Sequence, residues 1–225
     1  MEIYALKLNN ALSDSLFAQL LTLTSSTKRN RINRFVNKSH AEVTLVADVL
    51  LRFLLARKLN IALEDIHFQY NHYGKPLLRD RENIHFNISH SGNWIVCGID
   101  DVPIGVDIEQ VRQIDEGIAK RFFSTTEYVW LQSKAEADRV RYFYLIWTMK
   151  ESILKNIGIG LSMATDSFSI ELKEGQYHST LDQNLQFKQF NIDPTYVTSV
   201  CSKNKMFPPY AQIVKLDELL QKVIR

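Results

Sequence analysis

Cysteine is almost missing from this chain. Cys97 and Cys201 are the only two among 225 residues, and each stands in an apolar, strand-like run. They read as reduced, buried thiols, so no disulfide framework is implied and a cytoplasmic setting is expected. Long apolar runs are lacking too. The strongest, Val46 to Ala56, is broken by Asp48 and Arg52, and the opening segment Met1 to Leu8 shows no charged region followed by a long apolar stretch. Neither a transmembrane span nor a signal peptide is therefore expected. An excess of one charge is also absent: the net charge of +2 is too mild to mark a nucleic-acid binder by balance alone. Finally, no Gly/Ser linker, charge block or low-complexity tract interrupts the chain, which points to one compact unit. With 45% apolar residues, a core of useful size is available.

What the chain does have is a pair of acids in Ile104-Gly-Val-Asp-Ile-Glu109. Ile104, Val106 and Ile108 alternate with Gly105, Asp107 and Glu109, the period of a half-buried strand. Asp107 and Glu109 then point the same way, with Cα atoms roughly 7 Å apart at ~3.3 Å per residue. Carboxylates converging to ~4 Å repel by about 4 kcal/mol at an effective dielectric near 20. Such a pair needs a cation or must splay into water, and the exposed face of an edge strand is the alternative reading.

A second segment, Trp147-Thr-Met-Lys-Glu-Ser-Ile-Leu-Lys155, reads as helix. On a wheel, Val140, Phe143, Tyr144, Trp147 and Leu154 form an apolar stripe that contains Glu151, with Lys155 one turn on at its edge. A Glu-to-Lys pair on a solvated face would give the same spacing. A carboxylate inside a packing stripe, however, calls for a partner or a metal.

The coarse pattern is a strand over Ile3–Leu8, helices over Ser13–Leu23, Thr27–Asn37 and His40–Leu59, and a hairpin of Phe86–Ser89 and Trp94–Ile99. After the acidic strand come a helix over Arg139–Asn156 and strands over Ser167–Leu172, Leu185–Ile192, Tyr196–Ser202 and Ala211–Leu216. Long helix followed by small sheet thus occurs twice.

Ile-Gly-Val-Asp-Ile-Glu, Phe122-Phe-Ser-Thr-Thr-Glu-Tyr128 and Trp-Thr-Met-Lys-Glu-Ser-Ile-Leu-Lys, with Tyr73-Gly-Lys-Pro76 and Phe86-Asn-Ile-Ser-His-Ser-Gly-Asn-Trp94 upstream and Gly158-Ile-Gly-Leu-Ser162 downstream, resemble the 4′-phosphopantetheinyl transferases. The likeness is to the larger, monomeric type that activates surfactin synthetase, and it loosens beyond about Asp182. It implies an α+β fold of two similar αβ halves, each a long helix on a small antiparallel sheet, related by a pseudo-twofold axis. The boundary would fall near Pro103, with a coenzyme A-binding half over residues 1–103, a magnesium-binding catalytic half over 104–225, and the active site between them.

The reaction implied is transfer of 4′-phosphopantetheine from coenzyme A to a serine of an apo acyl or peptidyl carrier protein, releasing 3′,5′-ADP. Fatty acid, polyketide and nonribosomal peptide synthases remain open as the enzymes served. By this resemblance Asp107, Glu109 and Glu151 hold magnesium, Lys155 meets the diphosphate, and Glu151 is the candidate base, directly or through a water on the metal. Lys28, Arg31, Thr44, Lys75, Ser89 and His90 are assigned to the adenosine and 3′-phosphate end of coenzyme A. Read as residues alone, Lys28, Arg29, Arg31, Arg34 and Lys38 suit a compact polyphosphate or a solvated helix face; no aromatics interleave, so no nucleic-acid partner is expected. Gly74-Lys-Pro is not a Walker loop. His90 could equally stabilise a turn. The remaining histidines, His40, His67, His72, His85 and His178, show no metal-ligand spacing and read as structural. Lys150 could orient Glu151 or close a salt bridge, and Glu127 reads as structural or catalytic.

Val111 to Tyr128 carries Ile114, Ile118, Phe122 and Phe123 at helical spacing among Arg112, Lys120 and Arg121. Packing against the body is one reading, and docking of an acidic carrier protein is the other. Two rival functions stand beside the transferase: another magnesium-dependent phosphoryl enzyme, and a non-catalytic carrier-binding module.

Overall fold

The computed structural model describes residues 1–224. Strand β1 (Glu2–Lys7) leads into helices α1 (Asp14–Thr22) and α2 (Ser26–Ile32), each started by a serine, Ser13 or Ser25, whose hydroxyl accepts a first-turn amide hydrogen. Helix α2 is shorter than expected because Asn37 restarts the chain as the cap of α3 (Lys38–Leu59). Strands β2 (Phe68–Tyr70), β3 (Pro76–Leu78), β4 (His85–Ser91) and β5 (Trp94–Asp100) complete the first half. The second half runs through β6 (Ile104–Gln110), α4 (Glu116–Phe122), α5 (Thr125–Gln132), α6 (Glu136–Ile157), β7 (Ile170–Lys173), β8 (Gln176–Ser179), β9 (Gln186–Gln189) and β10 (Tyr196–Ser202).

The halves share one topology. In the first, β5 lies between β4 and β1 and runs antiparallel to both; in the second, β10 lies between β9 and β6 in the same way. Each has a 22-residue helix after its first strand, and a separate two-stranded hairpin, β2-β3 or β7-β8, after that helix. This equivalence is what a pseudo-twofold relation requires, and the fold is α+β.

One segment crosses the division. Strand β11 (Gln212–Val214) pairs parallel with β1, with Tyr4 opposite Gln212, and helix α7 (Leu216–Val223) buries Leu219 in the core beneath α3. The expected split at 1–103 and 104–225 is corrected accordingly: residues 212–224 pack with the first half, where β11 covers the open edge of β1 and α7 turns its apolar side into the core beneath α3. Hairpins β2-β3 and helix α7 were not anticipated. The strand expected from Ser167 starts only at Ile170, because Thr165–Ser167 forms a 3-10 turn.

Val111–Tyr128 also differs from the single helical pattern expected. It breaks at Phe123, where the backbone is extended, because Ser124 opens a capping box with Glu127. Phe123 is buried, while Phe122 and Ile114 are half-buried against α5 and α6; of the four apolar positions only Ile118 is open to solvent. Among the described residues no helix is long and apolar enough to cross a membrane.

The two sheets meet along β4 and β6 through side chains. Asn87 Oδ1, Ser89 Oγ and Ser91 Oγ accept the amide hydrogens of Val106, Ile108 and Gln110 at 2.8, 3.4 and 3.1 Å. Alternate residues of β4 thus grip alternate residues of β6. The grip places β4 beside the acidic face.

Candidate active site

Gly105 sets how closely α6 lies on β6. A Cβ built there would sit 1.8 Å from the Ser152 carbonyl oxygen and 2.7 Å from the Asn156 nitrogen, so only glycine permits this approach. Helix α6 rests on the strand at that point, which brings Glu151 and Lys155 over Asp107.

Asp107 is buried rather than displayed on an edge. Its Oδ1 accepts from Ser89 Oγ at 2.9 Å and from Lys155 Nζ at 2.5 Å, while Lys155 Nζ also donates to Ser89 Oγ at 2.9 Å. Asp107 Oδ2 is buried with no partner. Glu109, half-buried, accepts from Ser91 Oγ at 2.8 Å. Burial holds the Asp107 carboxyl above its ordinary range despite Lys155. Glu109 and Glu151 are raised as well, by burial first and then by the charge of Asp107. The three acids therefore feel one another. As they stand, though, no three His, Cys, Asp or Glu side chains among the described residues form a ready-made metal cluster, and Lys155 occupies the Oδ1 side of Asp107.

Glu151 is half-buried, on a line with Tyr144, Trp147 and Lys155 at the edge of the packed face of α6. The expected stripe is corrected in part: Phe143 and Leu154 are buried as expected, but Val140, Tyr144 and Trp147 are only half-buried, and Met149 and Ile153 fill the core instead; Tyr144 also lines a cleft. Lys150 points away from Glu151. It is fully buried, paired with Glu127 Oε2 at 2.8 Å and donating to the Thr165 and Phe168 carbonyls, so both residues hold α5, α6 and the following loop together. Burial pulls the Lys150 ammonium below its ordinary range.

Beside the acids lies a cleft of about 780 Å³, lined by Lys28, Arg31, Thr44, His90, Glu109 and Arg112, among others. Burial lowers Lys28, whose Nζ stands 3.9 Å from Asp48 Oδ1. His90 is itself open to solvent, yet desolvation in the cleft, then Lys155, Lys28 and His40, lower its ring below the usual imidazole range, which favours the neutral form. A larger hollow of about 970 Å³ lies elsewhere, beside the C-terminal half of α3, β2 and α7, and none of these acids or cations lines it.

Family models match the chain in two regions: the 4′-phosphopantetheinyl transferase N-terminal family over residues 11–100, and the 4′-phosphopantetheinyl transferase superfamily over 103–201. The 4′-phosphopantetheinyl transferase Sfp of Bacillus subtilis is 40% identical, covering 98% of this chain and 100% of its own. The chain belongs to this family. The 4′-phosphopantetheinyl transferase gsp of Aneurinibacillus migulanus is 38% identical over 90% of this chain and 86% of its own, and HetI of Nostoc is 34% identical over 66% and 65%. Membership among the phosphopantetheinyl transferases sets aside both rival functions.

Within this transferase, Lys28, Arg31, Thr44 and His90 share the cleft, and Ser89 lies just inside it on Asp107. Lys75 does not join them. Its Nζ donates to the Lys155 and Asn156 carbonyls at 2.6 and 2.9 Å, at the end of α6. Sequence reasoning did not place Ser91, Tyr144 or Arg112 in the cleft: Tyr144 reads as part of a packing stripe and Arg112 as part of a docking segment. Ser91 stands two residues from Ser89 on one strand face, and Tyr144 lies seven before Glu151 on one helix line, so period alone marks both. No local signal marks Arg112 as a cleft residue.

Proposed function

We propose that this transferase moves the 4′-phosphopantetheine group of coenzyme A onto a serine hydroxyl of an apo acyl or peptidyl carrier protein, releasing 3′,5′-ADP. The observation that carries this reading is the meeting of a buried, unpartnered Asp107 oxygen and Lys155 with a cleft lined by Lys28, Arg31 and His90. The cations suit a ligand bearing several phosphates, and the cleft is of a size that binds small molecules.

Magnesium fits the acids on this chain's own geometry: Asp107 Oδ2 lacks a partner, and the mutual repulsion of three carboxylates favours a cation. Asp107, Glu109 and Glu151 would hold it. When bound, it supplies charge neutralisation to the diphosphate. The protein's part follows from its residues. Lys155 is placed to turn its ammonium from Asp107 onto diphosphate oxygens, where charge grows as the phosphoanhydride bond breaks. Glu151, raised above the usual carboxylate range, is the stronger for it as acceptor of the serine proton. Lys28 and Arg31 anchor the 3′-phosphate. His90 enters as a neutral donor whose ring gains a proton when an anion arrives.

An acidic carrier helix would be steered by Arg112 and Lys120, both exposed, and would rest against Ile118; Phe122 and Phe123 serve the body of the protein. The enzymes served are fatty acid, polyketide or nonribosomal peptide synthases, and the protein acts as a monomer. Incubation with coenzyme A, magnesium and several apo carrier domains tests the reading: each substrate carrier should gain the mass of one phosphopantetheine, and no gain on any of them would refute it.

A further inference from the structure

The turn joining β2 to β3 is built to hold something. Asn71 Oδ1 accepts the amide hydrogens of Tyr73 and Lys75 at 3.0 and 2.8 Å, and Gly74 takes a positive φ of 84° to close the bend. What it holds is the end of α6, in the other half of the molecule. Asn71 Nδ2 donates to the Gly158 carbonyl at 2.7 Å, and Lys75 Nζ donates to the carbonyls of Lys155 and Asn156. The contact is close-fitting. A Cβ at Gly158, itself at φ 82°, would lie 2.6 Å from Lys75 Cδ and 3.1 Å from Asn71 Nδ2.

The last carbonyls of a helix have no partners within it, and their partial negative charge favours a cation there. Here that cation comes from the opposite half of the fold. It takes hold of the backbone of Lys155, the residue whose ammonium lies on Asp107 and Ser89. From the other side Asn156 Nδ2 donates to the Pro103 carbonyl at 2.7 Å. The final turn of α6 is thus fastened at both flanks.

We propose that Lys75 is a positioning residue for the transfer reaction: by gripping the carbonyls of Lys155 and Asn156 it fixes the last turn of α6, and so the direction from which the Lys155 ammonium reaches the diphosphate. This rests on the reading of Lys155 given above and replaces a direct ligand contact by the Lys75 ammonium. Rate, not ligand affinity, is what Lys75 then governs.

Lys75→Met keeps the length of the stem and removes the donors. Its kcat should fall about tenfold or more, since displacement of a reacting group by an ångström lowers a rate by about 10²-fold. The dissociation constant for coenzyme A, measured by calorimetry without a carrier, should stay within about twofold. Lys75→Arg, which can still donate to both carbonyls, should recover most of the rate. Asn71→Asp keeps the turn's acceptor and loses the donor to Gly158, so it should lower kcat in the same direction while remaining folded. Amide exchange at residues 154–158 should quicken in Lys75→Met and Asn71→Asp, a readout independent of activity.

Loss of coenzyme A affinity in Lys75→Met with kcat retained would overturn the proposal. Unchanged kcat and unchanged exchange in a folded Asn71→Asp would do so too. A wild-type protein that modifies no carrier, yet shows the expected exchange, would refute the proposed function while leaving the grip on α6 in place.

Discussion

Gly105→Ala tests the active-site geometry most directly. The added methyl would stand 1.8 Å from the Ser152 carbonyl oxygen where ordinary contact begins at 3.4 Å, a shortfall of about 1.6 Å, and its other near neighbours are Asn156 N and Ser152 C. All three are backbone, so no rotamer change relieves the clash. Helix and strand must part, yet β6 is bound on one side by β10 and on the other by the side chains of β4. Overpacking of this kind destabilises by about 1–3 kcal/mol. A helix shift of about 1 Å would stretch the Lys155 contacts with Asp107 and Ser89 from 2.5 and 2.9 Å to as much as about 3.5 and about 3.9 Å, weakening the first and breaking the second. A rate loss of about 10²-fold is expected. Thermal unfolding and steady-state transfer to an apo carrier are the assays. A Gly105→Ala protein with wild-type melting temperature and wild-type kcat would show that α6 is not seated by this contact.

Asp107→Asn should abolish transfer while raising thermal stability at neutral pH. Asp107, Glu109 and Glu151 are all raised on folding, so the folded state binds more protons than the unfolded one and stability falls as pH climbs from the ordinary carboxylate range through the raised values. Magnesium should accordingly raise the melting temperature at pH 8, and Asp107→Asn should erase that shift; a metal response that survives the substitution would remove Asp107 from the ligands. Lys28→Ala and Arg31→Ala should each weaken coenzyme A binding by about 1.5–3 kcal/mol through the 3′-phosphate. Equal losses with dephospho-coenzyme A would contradict that assignment. Arg112→Glu should raise the KM for an acidic carrier, with less effect at high salt, because exposed charges are screened within about 10 Å at 0.1 M. Arg112 also lines the cleft, so calorimetry must find coenzyme A affinity unchanged.

The acidic strand, the helix bearing Glu151 and Lys155, and the serine-histidine strand were legible because each carries a local period and a dense set of polar types. Glu127 and Lys150 were ambiguous, since a buried pair 23 residues apart in sequence has no periodic mark; only the packing of α5 on α6 reveals it. Lys75 was given a ligand because its motif is a turn, and a turn says nothing of which distant carbonyls it will meet. The serines and asparagine of β4 read as ordinary polar alternation. Their grip on the β6 backbone depends on two strands lying side by side without pairing.

Strand β11 gives this fold an unusual schedule. Tyr4 finds its parallel neighbour only at Gln212. At about 5–20 residues per second on a ribosome, β1 waits roughly 10–40 s before the segment that closes its edge has been made. Until then the first sheet is left with a bare flank of backbone donors and acceptors, open to pairing with a neighbouring nascent chain. Chains stalled or clipped before residue 212 would carry that flank permanently, with Leu219 missing from the core under α3. Such fragments are expected to aggregate even though every residue of the acidic cluster and its cleft is present in them.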